Sequence, residues 1–140
     1  MSLSPVNVVI EDPPSRATLE SLGRGLDAYN ALHSPAHAEE FVVALRADDG
    51  ALQGGIRAEA WAGMLFVRWV WLQERQRGLG HGRALMREAE AEGRRRGCTR
   101  VWLDTFEFQA RPFYEKLGYE SFGELAYPAG FKRFFLQKAL

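Results

Sequence analysis

The sequence predicts one mixed α/β (α+β) domain over residues 1–140. Three observations predict it. Helical patterns alternate with short apolar strands, so neither element type runs alone through the chain. The stretch Met64–Leu72 is apolar almost throughout, as expected of a strand covered on both faces. A chain of 140 residues, 46% hydrophobic and 26% charged, carries enough apolar material for one core, and it shows no repeat, low-complexity tract or interdomain linker.

Each element has its own signal. Residues 6–10 form a short β-prone run stopped by Asp12-Pro13-Pro14. Ser15 is placed to cap a helix that carries Leu19, Leu22, Leu26 and Tyr29 at spacings of three and four. Residues 30–38 read as a loop or irregular helix around Pro35. A strand over 41–45 leads into Asp48-Asp49-Gly50, a hairpin signal, and a second strand runs through Leu52–Trp61, bent at Gly54-Gly55. Gly63 turns the chain into a third strand, Met64–Leu72. A helix over 83–96 shows Leu85, Met86, Ala89 and Gly93 on one face and stops at Gly97. A buried-looking strand over 99–105 follows. Pro112 then suits the first turn of a short helix ending at Gly118, and residues 119–127 and 131–136 close the chain as a strand pair.

Composition narrows the class further. No stretch reaches the roughly 18 apolar residues of a membrane span, and the N-terminus lacks the pattern of a secretory signal. The single cysteine, Cys98, forms no internal disulfide, which fits a reducing cytoplasm. Net charge is zero but segregated: residues 1–74 carry −5 and residues 75–100 carry +5. A basic segment beside a glycine-rich turn suggests an anionic ligand. Nucleic acid fits less well, because these arginines group at a helix start and a helix end rather than along one stripe.

The strongest chemical signal lies where the strand Met64–Leu72 meets the next helix, in Arg75-Gln76-Arg77-Gly78-Leu79-Gly80-His81-Gly82-Arg83. Glycines permit a tight turn and close approach of a ligand to the backbone. The first amides of a helix lack internal partners and sit at its positive end, which suits phosphate. Arg75, Arg77 and Arg83 add charged donors. The spacing matches neither the dinucleotide fingerprint nor a P-loop.

The pattern R-x-x-G-x-G resembles the cofactor motif of the GNAT superfamily of acyl-CoA N-acyltransferases. About thirty residues on, Ala110-Arg111-Pro112-Phe113-Tyr114-Glu115-Lys116-Leu117-Gly118-Tyr119 resembles that family's second signature, A-x-x-F-Y-E-K-x-G-F/Y. The likeness extends to Val70-Trp71-Leu72 and Leu103-Asp104-Thr105-Phe106. It implies a mixed, mostly antiparallel sheet splayed into a V and flanked by helices, with the pantetheine arm in the cleft. It further implies acetyl-CoA as co-substrate, bound by the segment from Arg75 to Arg83 with Phe113 and Tyr114, and paired along the backbone of Val70 and Leu72. The Val70 amide would face the thioester carbonyl, and Tyr114 would protonate the departing thiolate. Where the family often has Asn, three residues before Ala110, this chain has Glu107; Gln109 is the alternative amide.

No motif fixes the base that deprotonates the amine. Glu59, between Ala58 and Ala60, is the first candidate, with Glu107, Asp104, His33 and His37 behind it. The three histidines show no metal-ligand spacing, so no metal is expected. The resemblance implies acetyl transfer to a primary amine of a small molecule in a ternary complex, with homodimerisation left open. A protein or peptide N-acetyltransferase and a catalytically silent acyl-CoA sensor are the alternatives.

Overall fold

The structure, a computed structural model, describes residues 3–34 and 37–140. It divides into an N-terminal unit and a main unit running His37–Leu140. Pro35, the centre of the predicted 30–38 loop, lies outside the described residues.

In the N-terminal unit, helix α1 spans Arg16–Ala31. Its cap is the predicted one: the Ser15 side chain accepts from the Thr18 amide at 3.1 Å. The Glu11 carboxylate adds a hydrogen bond from the Thr18 hydroxyl at 2.9 Å. The predicted stripe of Leu19, Leu22, Leu26 and Tyr29 is present and exposed. The β-prone run at 6–10 forms no strand. A strand needs a ladder partner for its backbone groups, and among the described residues none pairs with this run.

The main unit is one six-stranded sheet with the order β1-β2-β3-β4-β6-β5. Its strands are β1 (Glu39–Arg46), β2 (Leu52–Trp61), β3 (Met64–Leu72), β4 (Arg100–Phe106), β5 (Glu120–Ala126) and β6 (Lys132–Ala139). Helix α2 (His81–Arg95) connects β3 to β4, and the short α3 (Arg111–Lys116) connects β4 to β5. Every neighbouring pair is antiparallel except β3 with β4, which the α2 crossover makes parallel. The predicted mixed, mostly antiparallel sheet is therefore what forms.

Strand alternation sorts the side chains. Ile56, Ala58 and Ala60 of β2, Leu65 and Val67 of β3, and Val101 and Leu103 of β4 are buried. They share a core with Leu85, Met86 and Ala89 of α2. Gly93 lets α2 approach closely: a Cβ there would lie 2.9 Å from the Leu65 side chain. Gly54 and Gly55 have the same use within the sheet, since added Cβ atoms would meet the Trp71 and Val43 carbonyl oxygens at 2.6 Å.

One irregularity shapes the site. β2 and β3 stay paired from end to end, but the register slips between Arg57 and Ala58, leaving Arg68 as an extra residue in β3. β3 pairs with β4 only over Met64 to Val67, opposite Arg100 to Leu103. Beyond Val67 the two strands part. β3 follows β2, while β4 follows β6 as far as Phe106. The sheet opens as a V whose point is the Val67–Leu103 pair.

The basic segment after the turn is spent on structure. Arg95 pairs with Glu88 and Glu92, and Arg96 with Glu92 and Glu39 while lying over the Phe41 ring. Glu90, buried on α2, accepts from the Tyr119 hydroxyl at 2.7 Å and pairs with Lys138 at 2.8 Å. That network ties α2 to the end of α3 and to β6. Among the described residues no helix is long and apolar enough to cross a membrane.

Candidate active site

The opening between β3 and β4 is a cleft of about 1180 Å³, built wholly from the main unit. Its walls are residues 66–72 of β3, residues 103–106 of β4, the turn before α2, the start of α3, and Arg133 of β6.

The β3 wall is an open strand edge. The Gln73 amide donates to the Gln53 carbonyl of β2 at 2.9 Å. Amides alternate in direction along a strand, so those of Val70 and Leu72 point away from β2, toward the cleft. β4 has parted from β3 here, so no strand takes them up. These are the two positions expected to pair with an extended ligand.

At the far end of that wall, a 3₁₀ turn at Glu74–Gln76 leads into the glycine-rich segment. Gly78 and Gly80 have φ of +73° and +87°, a region that side-chain-bearing residues rarely adopt. Gly80 is the N-cap of α2, has no side chain to satisfy the first amides, and faces open space. Gly78, Gly80, Gly82, Arg77 and Arg83 line the cleft. The helix start thus offers unsatisfied amides beside two guanidiniums, the elements of a phosphate cradle.

The other members of the predicted segment are placed differently. Arg75 and Gln76 donate to Oε1 of Gln53 at 3.2 and 3.3 Å, and neither lines the cleft. Gln53 is buried, and its backbone carbonyl also receives Gln73. It holds the turn against β2, a role that no local pattern marks. Leu79 is exposed, and His81 opens α2 without lining the cleft. Gly82 serves packing: a Cβ there would lie 3.3 Å from the Phe113 ring, so its absence lets α2 sit against α3.

On the opposite wall, Phe113 and Tyr114 come from α3, which Pro112 starts and Leu117 caps. Tyr114 is 7% exposed yet lines the cleft, and among the described residues its hydroxyl has no hydrogen-bond partner. Burial, with a smaller contribution from the Asp104 charge, pushes its pKa up to about 12. Gln109 also lines the cleft. Its Oε1 accepts from the Phe106 amide at 2.7 Å, which leaves its NH₂ group as a donor. Glu107 turns elsewhere: its carboxylate accepts from the Lys132 amide at 3.2 Å, closing the end of the β4–β6 ladder.

Of the base candidates, Glu59 is not brought to the cleft. It lies on the face opposite Ala58 and Ala60 and does not line the cleft itself, but it pairs at 3.6 Å with Arg68, which does. His33 stacks on Tyr29 in the N-terminal unit, 5.0 Å between centroids. His37 is exposed. Asp104 does line the cleft, beside Phe106 and Arg133. Trp69 and Trp71 of β3 line it as well and are 63% and 51% exposed, whereas Phe66 stacks on Trp102 at 4.1 Å. Among the described residues no group of three or more His, Cys, Asp or Glu side chains is arranged to hold a metal ion.

A phosphate cradle at a helix start, an open strand edge leading from it, and a protonated phenol across the cleft define the acyl-transfer class of site. Comparison with known proteins agrees. The family model of the acetyltransferase (GNAT) family matches residues 10–119, and the chain belongs to that family. It is 30% identical to an acetyltransferase of Agrobacterium fabrum over 86% of this chain and 88% of that protein. It is 34% identical to the blasticidin-S acetyltransferase of Streptomyces morookaense, over 65% of this chain and 68% of that enzyme. A crystal structure of an acetyltransferase from Agrobacterium tumefaciens superposes with a TM-score of 0.90 at 28% identity, covering 96% of this chain and all of that one.

Proposed function

We propose that this protein transfers the acetyl group of acetyl-CoA to a primary amine of a small molecule, directly, within a ternary complex. The observation that carries the reading is the single cleft that joins the glycine turn, the open amides of β3 and Tyr114. The amides and arginines from Arg77 to Arg83 bind the pyrophosphate of CoA. The amide of Leu72 pairs with the pantetheine arm, as does the Gln109 NH₂ group. The Val70 amide then meets the thioester oxygen, where negative charge grows as the amine attacks.

Attack forms the C–N bond and a tetrahedral intermediate. Its collapse breaks the C–S bond, and the electron pair leaves on sulfur as thiolate. The acceptor nitrogen, cationic when it arrives, gives one proton to solvent before it attacks and a second from the intermediate, while Tyr114 protonates the departing sulfur and is itself reprotonated from solvent. A phenol raised to about 12 stays protonated at physiological pH, so its proton is in place when the thiolate develops. A small-molecule acceptor is favoured by the likeness to an enzyme named for blasticidin-S. A peptide acceptor has no comparable support.

Tyr114→Phe tests the assignment. It should lower kcat by roughly 10²-fold or more, the usual worth of a positioned acid, while acetyl-CoA affinity changes less than about threefold. Stopped-flow thiol release and calorimetry measure the two. A fully active variant removes Tyr114 from the reaction.

A further inference from the structure

The cleft carries four arginines, Arg68, Arg77, Arg83 and Arg133, but one carboxylate, Asp104. Guanidiniums repel an incoming ammonium. Asp104 is the one lining group able to receive that ammonium with opposite charge. Its surroundings suit the task. Oδ1 takes both contacts from Arg133, Nε at 3.0 Å and Nη2 at 2.8 Å. Oδ2 has no partner among the described residues, and the side chain is 16% exposed.

Arg133 is itself constrained. Its Nη1 donates to the Tyr127 hydroxyl at 3.4 Å, and its guanidinium lies 5.3 and 5.4 Å from the Phe106 and Phe135 ring centroids. The β4–β6 register sets this up, pairing Phe106 with Arg133 and Asp104 with Phe135. Arg133 therefore reaches diagonally across the ladder to the carboxylate. The arrangement orients one oxygen and leaves the other available, which a purely structural ion pair does not require.

We propose that Asp104 anchors the ammonium group of the acceptor through Oδ2, and that Arg133 is the positioning residue that aims it. The acceptor class is an amine that is cationic in solution, with an apolar body for exposed Trp71 and for the face of Trp69 that Arg57, 4.5 Å from its ring centroid, does not cover. The proposal rests on the acetyl-transfer reading only for the identity of the second reactant.

The experiment titrates tyramine, spermidine, glucosamine and lysine into the CoA-saturated protein by calorimetry, for wild type, Asp104→Asn, Asp104→Glu and Arg133→Gln. Asparagine keeps an oxygen for Arg133, so thermal unfolding and CoA affinity should hold within about twofold. Amine affinity should fall at least roughly tenfold, the scale of one charge-assisted hydrogen bond. Asp104→Glu should recover part of that loss, and Arg133→Gln should weaken amine binding without weakening CoA binding. Three results overturn the proposal: equal amine affinity in wild type and Asp104→Asn, parallel loss of amine and CoA binding, or no amine bound by wild type at millimolar concentration. Amine bound through Asp104 with no thiol release in a parallel assay sinks acetyl transfer and leaves the anchor standing.

Discussion

The two ends of the cleft are built in different ways. At the donor end the chemistry is carried by backbone: glycines at φ of +73° and +87°, the first amides of α2, and the β3 edge that Arg68 frees from β4. At the end proposed for the acceptor, the lining is side chains from separate strands, Trp69 and Trp71 from β3, Asp104 and Phe106 from β4, and Arg133 from β6. Backbone chemistry demands contiguous residues of fixed type. Side-chain chemistry demands only that the sheet bring distant positions together. A contiguous backbone site can be written in a short motif, whereas a site gathered from separate strands cannot.

The largest effect expected from breaking this contrast is at Gly80. Gly80→Val places a β-branched residue at φ +87°, so the turn must rearrange and withdraw amides from the ligand. Acetyl-CoA affinity should fall roughly 100-fold, the worth of about two charge-assisted hydrogen bonds, with amine binding at the other end unchanged. Because a Cβ at Gly80 meets nothing within 4 Å, the fold itself should survive, which circular dichroism checks. A variant with wild-type affinity would dissociate the turn from the donor.

These two ends also differ in how legible they were. The order of elements from α1 onward, the turn, the Phe113-Tyr114 helix and the core face of α2 follow from contiguous patterns, and they stand in the structure where those patterns put them. Arg75 and Gln76 match the family motif in letters, yet their side chains serve Gln53, some twenty residues upstream, and a motif cannot distinguish a ligand contact from a buttress. Arg133 carried no signal at all. It is an ordinary strand residue until the β4–β6 register sets it diagonal to Asp104. Residues 6–10 show the opposite failure, since β propensity without a ladder partner made no strand.

An intermediate effect concerns Tyr114, which stands between the two ends. Its folded pKa lies at about 12, above the unfolded value of 10.0, so the neutral phenol stabilises the fold fully below pH 10. That contribution should disappear as the pH rises from 10 through 12, because only the unfolded chain then ionises freely. The loss amounts to about 2 to 3 kcal/mol. Tyr119, raised by burial and by its hydrogen bond to Glu90, adds to the same alkaline slope. Denaturant titrations of wild type and Tyr114→Phe isolate the Tyr114 share as their difference. Parallel curves would show that the phenol is not desolvated.

The smallest effect is at Gly82, where packing and ligand binding meet. Gly82→Ala puts a Cβ 3.3 Å from the Phe113 ring, a contact that a shift of a few tenths of an ångström relieves. Stability should fall by about 1 kcal/mol, as for mild overpacking, and acetyl-CoA affinity by no more than a few-fold. A loss as large as that of Gly80→Val would mean that the α2–α3 contact, rather than the left-handed turn, sets the cradle.

The proposed function is that one cleft unites acetyl-CoA with an amine and moves the acetyl group between them. Its most direct test is to incubate wild-type protein with acetyl-CoA and the amine panel, counting free thiol and acetylated amine by mass spectrometry in the same sample. One acetylated amine is expected for each thiol released, with both dependent on the amine. Acetyl-CoA that binds but yields no thiol, or thiol released without acetylated amine, would contradict it.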